Sequence, residues 1–181
     1  MPEQTVWVNK LRQSTRIGPR KELENIGSEY KQSINTWIIN SKRELLLQKR
    51  SANKKHNPNK WANTGGGIKH DETSVEAVVR ECKEELGIDV DVTNLEYKMT
   101  LQREYDYVDV YVLYQDIDIN SIKYQESEVS DVKYFTIQQI EQMINNNELS
   151  PSSRVYFGML QITIDKDFNE SYVRRIVKKE N

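Results

Sequence analysis

A mixed α/β fold, an α+β arrangement with a mixed sheet packed between helices, is the class this sequence predicts, and three observations predict it. Two long segments, Asp89–Gln102 and Tyr105–Asp116, carry alternating and β-branched residues around the short break at Arg103–Asp106, which reads as a hairpin. Two shorter segments upstream, Ser33–Asn40 and Glu44–Lys49, read as further strands joined by a turn at Asn40–Arg43. Helical patterns interrupt these strands, so the layers must be sheet on helix.

The elements follow in chain order. Residues 1–31 are polar and charged, with a Gly18-Pro19 break and Gly27, and are expected to be an irregular extension holding one short strand near Thr5–Val8. It should pack on a main domain spanning 32–165. Ser51–Asn63 is a loop rich in Lys, Asn, His and Pro, and Thr64–Asp71 is glycine-rich. A helix is expected over Ser74–Leu86: Thr73 and Glu76 form a capping-box pair at its start and Gly87 ends it. After the hairpin, Lys123–Ser130 is a polar loop, Val132–Phe135 a short strand and Ile137–Asn145 a helix. Ser152–Ile162 is a candidate helix entered through Ser150-Pro151, and 166–181 is a basic tail.

Composition narrows the function classes. The chain has 181 residues, 36 % of them apolar and 30 % charged, enough for one domain with a core and a heavily charged surface. A net charge of −2 and a pI near 5.8 give no global attraction to nucleic acid or anionic membrane, so neither is an expected partner. Any anionic substrate must be gripped locally. The single cysteine, Cys82, excludes an intramolecular disulfide and a Cys-rich zinc site, and His56 and His70 alone do not make a histidine metal site. No apolar run is long enough to cross a membrane and the N-terminus lacks a signal-peptide core, so the cytosol is the default location.

The chemistry concentrates in the helix. Val75, Val78, Val79, Cys82 and Leu86 fall on one stripe at 100° per residue, which should face the core. Glu81, Glu84 and Glu85, at i, i+3 and i+4, share another face. Three clustered carboxylates repel one another, and a hard divalent cation would reverse that cost, since Mg²⁺ prefers oxygen ligands and leaves room for water and phosphate. Gly65, Gly66 and Gly67 allow close backbone approach just ahead of the helix. Taken alone, an acidic helix face is usually a solvated surface and a glycine run an ordinary turn.

The full pattern is more specific. Gly66, Glu72, Arg80, Glu81, Cys82, Glu84, Glu85, Gly87 and Ile88 keep every spacing of the Nudix box, Gly-x5-Glu-x7-Arg-Glu-U-x-Glu-Glu-x-Gly-U, in which U is bulky and aliphatic. Cys82 at the first U position is the one departure, and a buried cysteine behaves as a small hydrophobe. With residue frequencies of roughly 5–7 % at most fixed positions, a chance match is on the order of one in a hundred million. The segment thus resembles the Nudix family. The lead-in from Trp37 through LLLQKRS to Lys60-Trp61 resembles its isopentenyl-diphosphate isomerase-like branch, and EVSDVKYFTIQQI resembles the strand and helix that close the fold.

That resemblance implies a Nudix-like α/β/α sandwich and a Mg²⁺-dependent hydrolase, with Mn²⁺ able to substitute, which cuts the diphosphate linkage of a small molecule such as a nucleoside diphosphate derivative. It implies Glu81 and Glu85 as main metal ligands, Glu84 as a further ligand or as base, and the Gly66 backbone as an additional contact. It implies structural roles for Glu72, Arg80 and Gly87. A glutamate beyond the box often serves as base in the family, which points to Glu128 ahead of Glu126. Homodimers are common in the family.

Arg50 and Lys55, with Lys54, His56 and Lys60, crowd the loop before Trp61 and are candidate substrate contacts as a basic lip; each is equally an ordinary solvated side chain. Trp61 could stack on a substrate base or close the core, as Tyr105 and Tyr107 could line the pocket or serve the sheet. Two other functions stand beside hydrolysis. The isomerase requires a cysteine just ahead of the box glycine, where this chain has Gly65, and histidines at positions that match Lys31 and Gly67. A non-catalytic Nudix-fold binding module often loses box glutamates, and this chain keeps them all.

Overall fold

The computed structural model describes residues 2–21 and 28–164, the last three of these by backbone alone. The strands are β1 (Gln4–Val8), β2 (Ser14–Pro19), β3 (Lys31–Ile39), β4 (Leu45–Arg50), β5 (Trp61–Ala62), β6 (Thr64–Gly67), β7 (Leu95–Gln102), β8 (Asp106–Tyr114) and β9 (Val129–Phe135). The helices are α1 (Ser74–Leu86), α2 (Ile137–Asn145) and α3 (Pro151–Ile164).

One mixed sheet organises the molecule. β3 runs parallel to β8 from Lys31↔Asp106 to Ile39↔Tyr114, and β7 pairs antiparallel on the far side of β8. β9 lies antiparallel along β4. β3 and β4 touch only at Ile38↔Leu46 and Ile39↔Leu45, and then part. In the gap, β6 completes the edge of β3 through Ser33↔Gly67 to Thr36↔Thr64, and β5 completes that of β4 through Gln48↔Ala62 and Lys49↔Trp61. This split opens the sheet where the glycines lie.

Each sheet face has its own core. On one side Ile34, Ile38, Leu46 and Leu113 pack against Ala77, Val78, Cys82 and Leu86 of α1. On the other, Trp37, Leu45, Leu47, Val110 and Val112 pack against Ile140 and Met143 of α2 and Tyr156, Phe157 and Leu160 of α3. The result is the expected α/β/α sandwich. Burying a side chain such as Val78 or Leu86 contributes about 1.5–3 kcal/mol, so the apolar stripe fixes which face α1 turns inward.

The helix begins as its sequence requires. Thr73 caps it, its hydroxyl accepting from the Glu76 amide while the Glu76 carboxylate accepts from the Thr73 amide, and Gly87 at φ +68° ends it with its amide donating to the Lys83 carbonyl. Its buried arc is not the expected one. Val75 is exposed and Val79 half-buried, whereas Ala77 and Glu85 are buried, because the helix is rolled toward Glu85.

The N-terminal segment holds more order than expected. β1 and β2 form an antiparallel hairpin from Gln4↔Pro19 to Val8↔Ser14, where one short strand was expected. It is fastened to the domain by a Val8↔Tyr30 bridge, by Thr5 Oγ1 donating to the Ile68 carbonyl at 2.8 Å, and by the Tyr107 hydroxyl donating to the Lys10 carbonyl at 2.8 Å. Gly27 and the basic tail lie outside the described residues. Trp61–Ala62, within the expected loop, and Thr64–Gly67, in the glycine-rich stretch, are the gap-filling strands β5 and β6. The expected strand from Asp89 starts only at Leu95, since Asp91 caps a 3-10 turn over Val92–Asn94.

Candidate active site

The acidic face of α1 descends into the protein. The Glu84 side chain is 50 % exposed, that of Glu81 13 %, and Glu85 as a residue only 8 %. All three line one cavity of about 310 Å³ with Glu128, Gln125, Arg80, Lys69, Glu3, Arg20 and Gly67. Helical spacing supplies the first three, and the turn ahead of β9 brings in Glu128, whose amide donates to the Gln125 carbonyl at 2.8 Å.

Partners and burial set the electrostatics. Burial pushes the Glu85 carboxyl up to about 8, against a hydrogen bond from Gln48 Nε2 at 2.6 Å and with help from the negative charge of Glu81. Burial also raises Glu81, although Arg80 Nη1 donates to its Oε1 at 2.7 Å. These two acids, one buried and one largely sheltered, are costly to ionise together. Glu84 receives Arg80 Nη1 at 3.1 Å and lies 3.6 Å from Lys69 Nζ, while Glu128 is paired with Lys54. As placed, among the described residues, no three Asp, Glu, His or Cys side chains stand in metal-binding geometry, because their oxygens are turned to these nitrogens. The donor set still suits a hard cation: all oxygen, with Glu85 buried, Glu81 largely sheltered beside it, and all open to one cavity.

Gly66 makes room for this arrangement. A Cβ at that position would stand 2.0 Å from Glu81 Oε1, so any larger residue would push the carboxylate away. Glu72 and Arg80 hold the preceding loop to the helix. Arg80 Nε and Nη2 donate to the two Glu72 oxygens at 2.8 and 2.6 Å, Nη2 also reaches the Gly67 carbonyl at 2.8 Å, and the Lys69 amide donates to Glu72 at 2.8 Å. Burial would raise the Glu72 carboxyl, but the bonds from Arg80 and Lys69 win and hold it below the usual range.

The remaining candidates separate. Arg50 lines both a cavity of about 580 Å³ at the sheet split and a wider one of about 1360 Å³ outside it; Lys55, Lys54 and Tyr105 line the wider one. Trp61 takes the packing alternative: it is buried in the core with its ring edge-on to Phe135 at 4.8 Å. Tyr107 likewise packs on Tyr30, ring centres 5.2 Å apart. Glu126 is exposed.

Several lining residues escaped sequence reasoning. Gln48 and Asn35 are polar residues at buried strand positions, each flanked on one side only by an apolar residue, Leu47 and Ile34, so the local pattern marks neither as a cavity residue. Arg20 follows the N-terminal hairpin and lines all three cavities, and no local pattern marks it.

The cysteine required of an isomerase has no space here. A Cβ on Gly65 would stand 2.8 Å from the Ile34 carbonyl oxygen. At the positions matching the isomerase histidines, Lys31 points its amine over the Trp7 ring at 5.5 Å, and Gly67 carries no side chain.

Comparisons with known proteins bear on the family and the fold. The family model of the NUDIX domain matches residues 29–155. An uncharacterized Nudix hydrolase of Listeria innocua is 32 % identical over 130 residues, 71 % of this chain and 75 % of that one. An isopentenyl-diphosphate Delta-isomerase of Salmonella paratyphi B is 37 % identical over 59 residues, only 32 % of this chain and 33 % of that one. The crystal structure of a MutT protein from Methanosarcina mazei superposes with a TM-score of 0.59 at 28 % identity, covering 80 % of this chain and all of that one. Among the described residues no helix is long and apolar enough to cross a membrane. Box, fold and relatives coincide over the same stretch of sequence, and the chain belongs to the Nudix hydrolase family.

Proposed function

We propose that the protein hydrolyses a diphosphate linkage in a small molecule, a nucleoside diphosphate derivative or a related compound, with Mg²⁺ as its cofactor and Mn²⁺ as a substitute. The observation that carries the reading is the pair of repelling carboxylates, Glu85 buried and Glu81 largely sheltered, opening with Glu84 and Glu128 onto one cavity.

Glu81 and Glu85 would hold the cation, with Glu84 and the Gly66 backbone as further donors. When bound, Mg²⁺ polarises the phosphoryl oxygen and lowers the pKa of water. Glu128, freed from Lys54, accepts the proton of the attacking water at a carboxylate oxygen, and Glu84 is the other acid on the cavity able to do so. Arg50 and Lys55 neutralise the substrate's phosphates from the outer cavity. Arg80 and Glu72 fix the loop so that Gly66 stays against Glu81. A homodimer, common in the family, and a cytosolic location stay part of this reading.

A screen of diphosphate compounds with Mg²⁺, scored for phosphate, pyrophosphate and phosphomonoester release, tests it. At least one class should turn over, and chelator should stop it. Full turnover in excess chelator, or none across the panel, contradicts it. Conversion of isopentenyl diphosphate to its dimethylallyl isomer would favour the isomerase alternative, against which the crowding at Gly65 counts.

A further inference from the structure

Between β4 and β5 the chain leaves the sheet and returns to it through a closed neck. The Arg50 amide donates to the Lys60 carbonyl at 2.9 Å, and the Asn59 amide donates to the Arg50 carbonyl at 3.1 Å. The tongue so formed, residues 51–60, buries no apolar side chain. Its two apolar members, Ala52 and Pro58, are exposed, and beyond Ser51 only Lys54 and Lys60 are even half-buried. With so little apolar contact, its polar contacts alone hold it in place.

Those contacts converge on one residue. Inside the tongue the Lys54 amide donates to the Ser51 carbonyl at 3.2 Å, and Arg50 Nε donates to the His56 carbonyl at 3.1 Å. At the neck the Lys60 amine donates to the Asn147 carbonyl. Nearer the tip the ties run to Glu128: the Ser51 amide donates to its carbonyl at 2.9 Å, and the Lys54 amine pairs with its carboxylate.

Glu128 stands between two cavities. It lines the inner one with Glu81, Glu84 and Glu85, and the outer one with Lys54, Lys55 and Arg50. Its turn is fixed to the end of α1, because the Gln125 amide donates to the Glu85 carbonyl at 3.1 Å and the Glu128 amide to the Gln125 carbonyl at 2.8 Å. The acid is thus anchored beside the carboxylate cavity, while its partner amine rides on the loosely held tongue. The Lys54 and Glu128 side chains are 24 % and 33 % exposed, and an ion pair this open to water is weak and easily exchanged. A divalent cation among the cavity's carboxylates would offer Glu128 twice the charge.

We propose that Lys54 latches the tongue to Glu128, and that a divalent cation in the carboxylate cavity releases it: Glu128 turns inward, and Lys54 and Lys55 come free to meet an anionic substrate. The release rests on the diphosphate-hydrolase reading for its cation; the latch does not. Amide hydrogen exchange on the full chain, read by mass spectrometry, tests both at once, since a bound cation should also slow exchange in α1. In chelator, Lys54→Met and Glu128→Gln should each speed the bonded Ser51 and Lys54 amides about two- to five-fold relative to the unfolded chain, the factor an exposed ion pair is worth. Lys54→Arg should keep the wild-type rate. Mg²⁺ should speed the same amides in the wild-type chain by a similar factor and leave the two opened variants unchanged. Wild-type exchange in both variants overturns the latch. Slower α1 exchange with an unmoved tongue overturns the release and leaves the hydrolase reading standing. Variants that open in a protein whose α1 ignores Mg²⁺ would sink the hydrolase's cation site, and the release with it, while the latch stands.

Discussion

Gln48 Nε2 donates to Glu85 Oε2 at 2.6 Å, joining a side chain of the sheet-split cavity to one of the carboxylate cavity. The bond fixes the rotamer of the more deeply buried acid and leaves Gln48 Oε1 buried without a partner. Partners of this kind behind a metal-binding carboxylate typically matter 10–100-fold, roughly, in affinity or activity. Gln48→Leu should therefore lower kcat/KM and raise the Mg²⁺ concentration for half-maximal rate by about that factor. Steady-state kinetics across a Mg²⁺ series reads both, and unchanged values would remove Gln48 from the site.

Glu85→Gln and Glu81→Gln should each cut turnover by about 100-fold or more while the far-ultraviolet dichroism stays that of the native fold. Near wild-type rates in either variant would end that residue's assignment as a ligand.

Gly66→Ala introduces a methyl group 2.0 Å from Glu81 Oε1. The acid sits at the end of a flexible chain, so the carboxylate should swing aside at little cost in stability. Thermal melting should shift by only a few degrees while the Mg²⁺ requirement rises ten-fold or more. Unaltered metal dependence would show that the close approach of Gly66 and Glu81 is incidental.

Arg80→Ala removes both forks of its bond to Glu72 and the tie to the Gly67 carbonyl. Both side chains are largely sheltered, at 17 % and 11 % exposure, so the loss should be about 3 kcal/mol in chemical denaturation. A change within about 0.5 kcal/mol would mean the loop is held by other contacts.

The raised Glu85 carboxyl gives a pH signature in the metal-free protein. Its folded pKa, about 8, exceeds the ordinary carboxylate value, so its contribution is complete at acid pH and is lost as pH rises through about 8. Glu81 is raised by burial in the same direction. In chelator the melting temperature should fall between pH 5 and pH 8, and Mg²⁺ should restore more at pH 8 than at pH 5. A metal-free melting temperature that climbs over this range contradicts the electrostatics.

Local signals made much of this legible in sequence. α1 was readable to the residue because Thr73, Glu76 and Gly87 mark its ends, and α2 because Thr136 and Gln139 repeat the capping box ahead of an apolar stripe. β6 was not, since Thr64–Gly67 has almost no side-chain pattern and becomes a strand only because β3 and β4 part. β2 was hidden by its mostly exposed residues and its Gly-Pro ending. The three box glutamates were readable from helical spacing, but their unequal burial was not: it comes from the roll of α1 toward Gln48. Arg20 reaches the cavities from beyond a hairpin, a long-range placement that no window of sequence carries.

Titration with Mn²⁺, followed by the resonance of the free ion, tests the central claim most directly. The wild-type protein should remove Mn²⁺ from solution saturably, Mg²⁺ should compete, and Glu81→Gln with Glu85→Gln together should abolish uptake. Saturable binding that survives the double substitution would place the ion elsewhere and contradict the account.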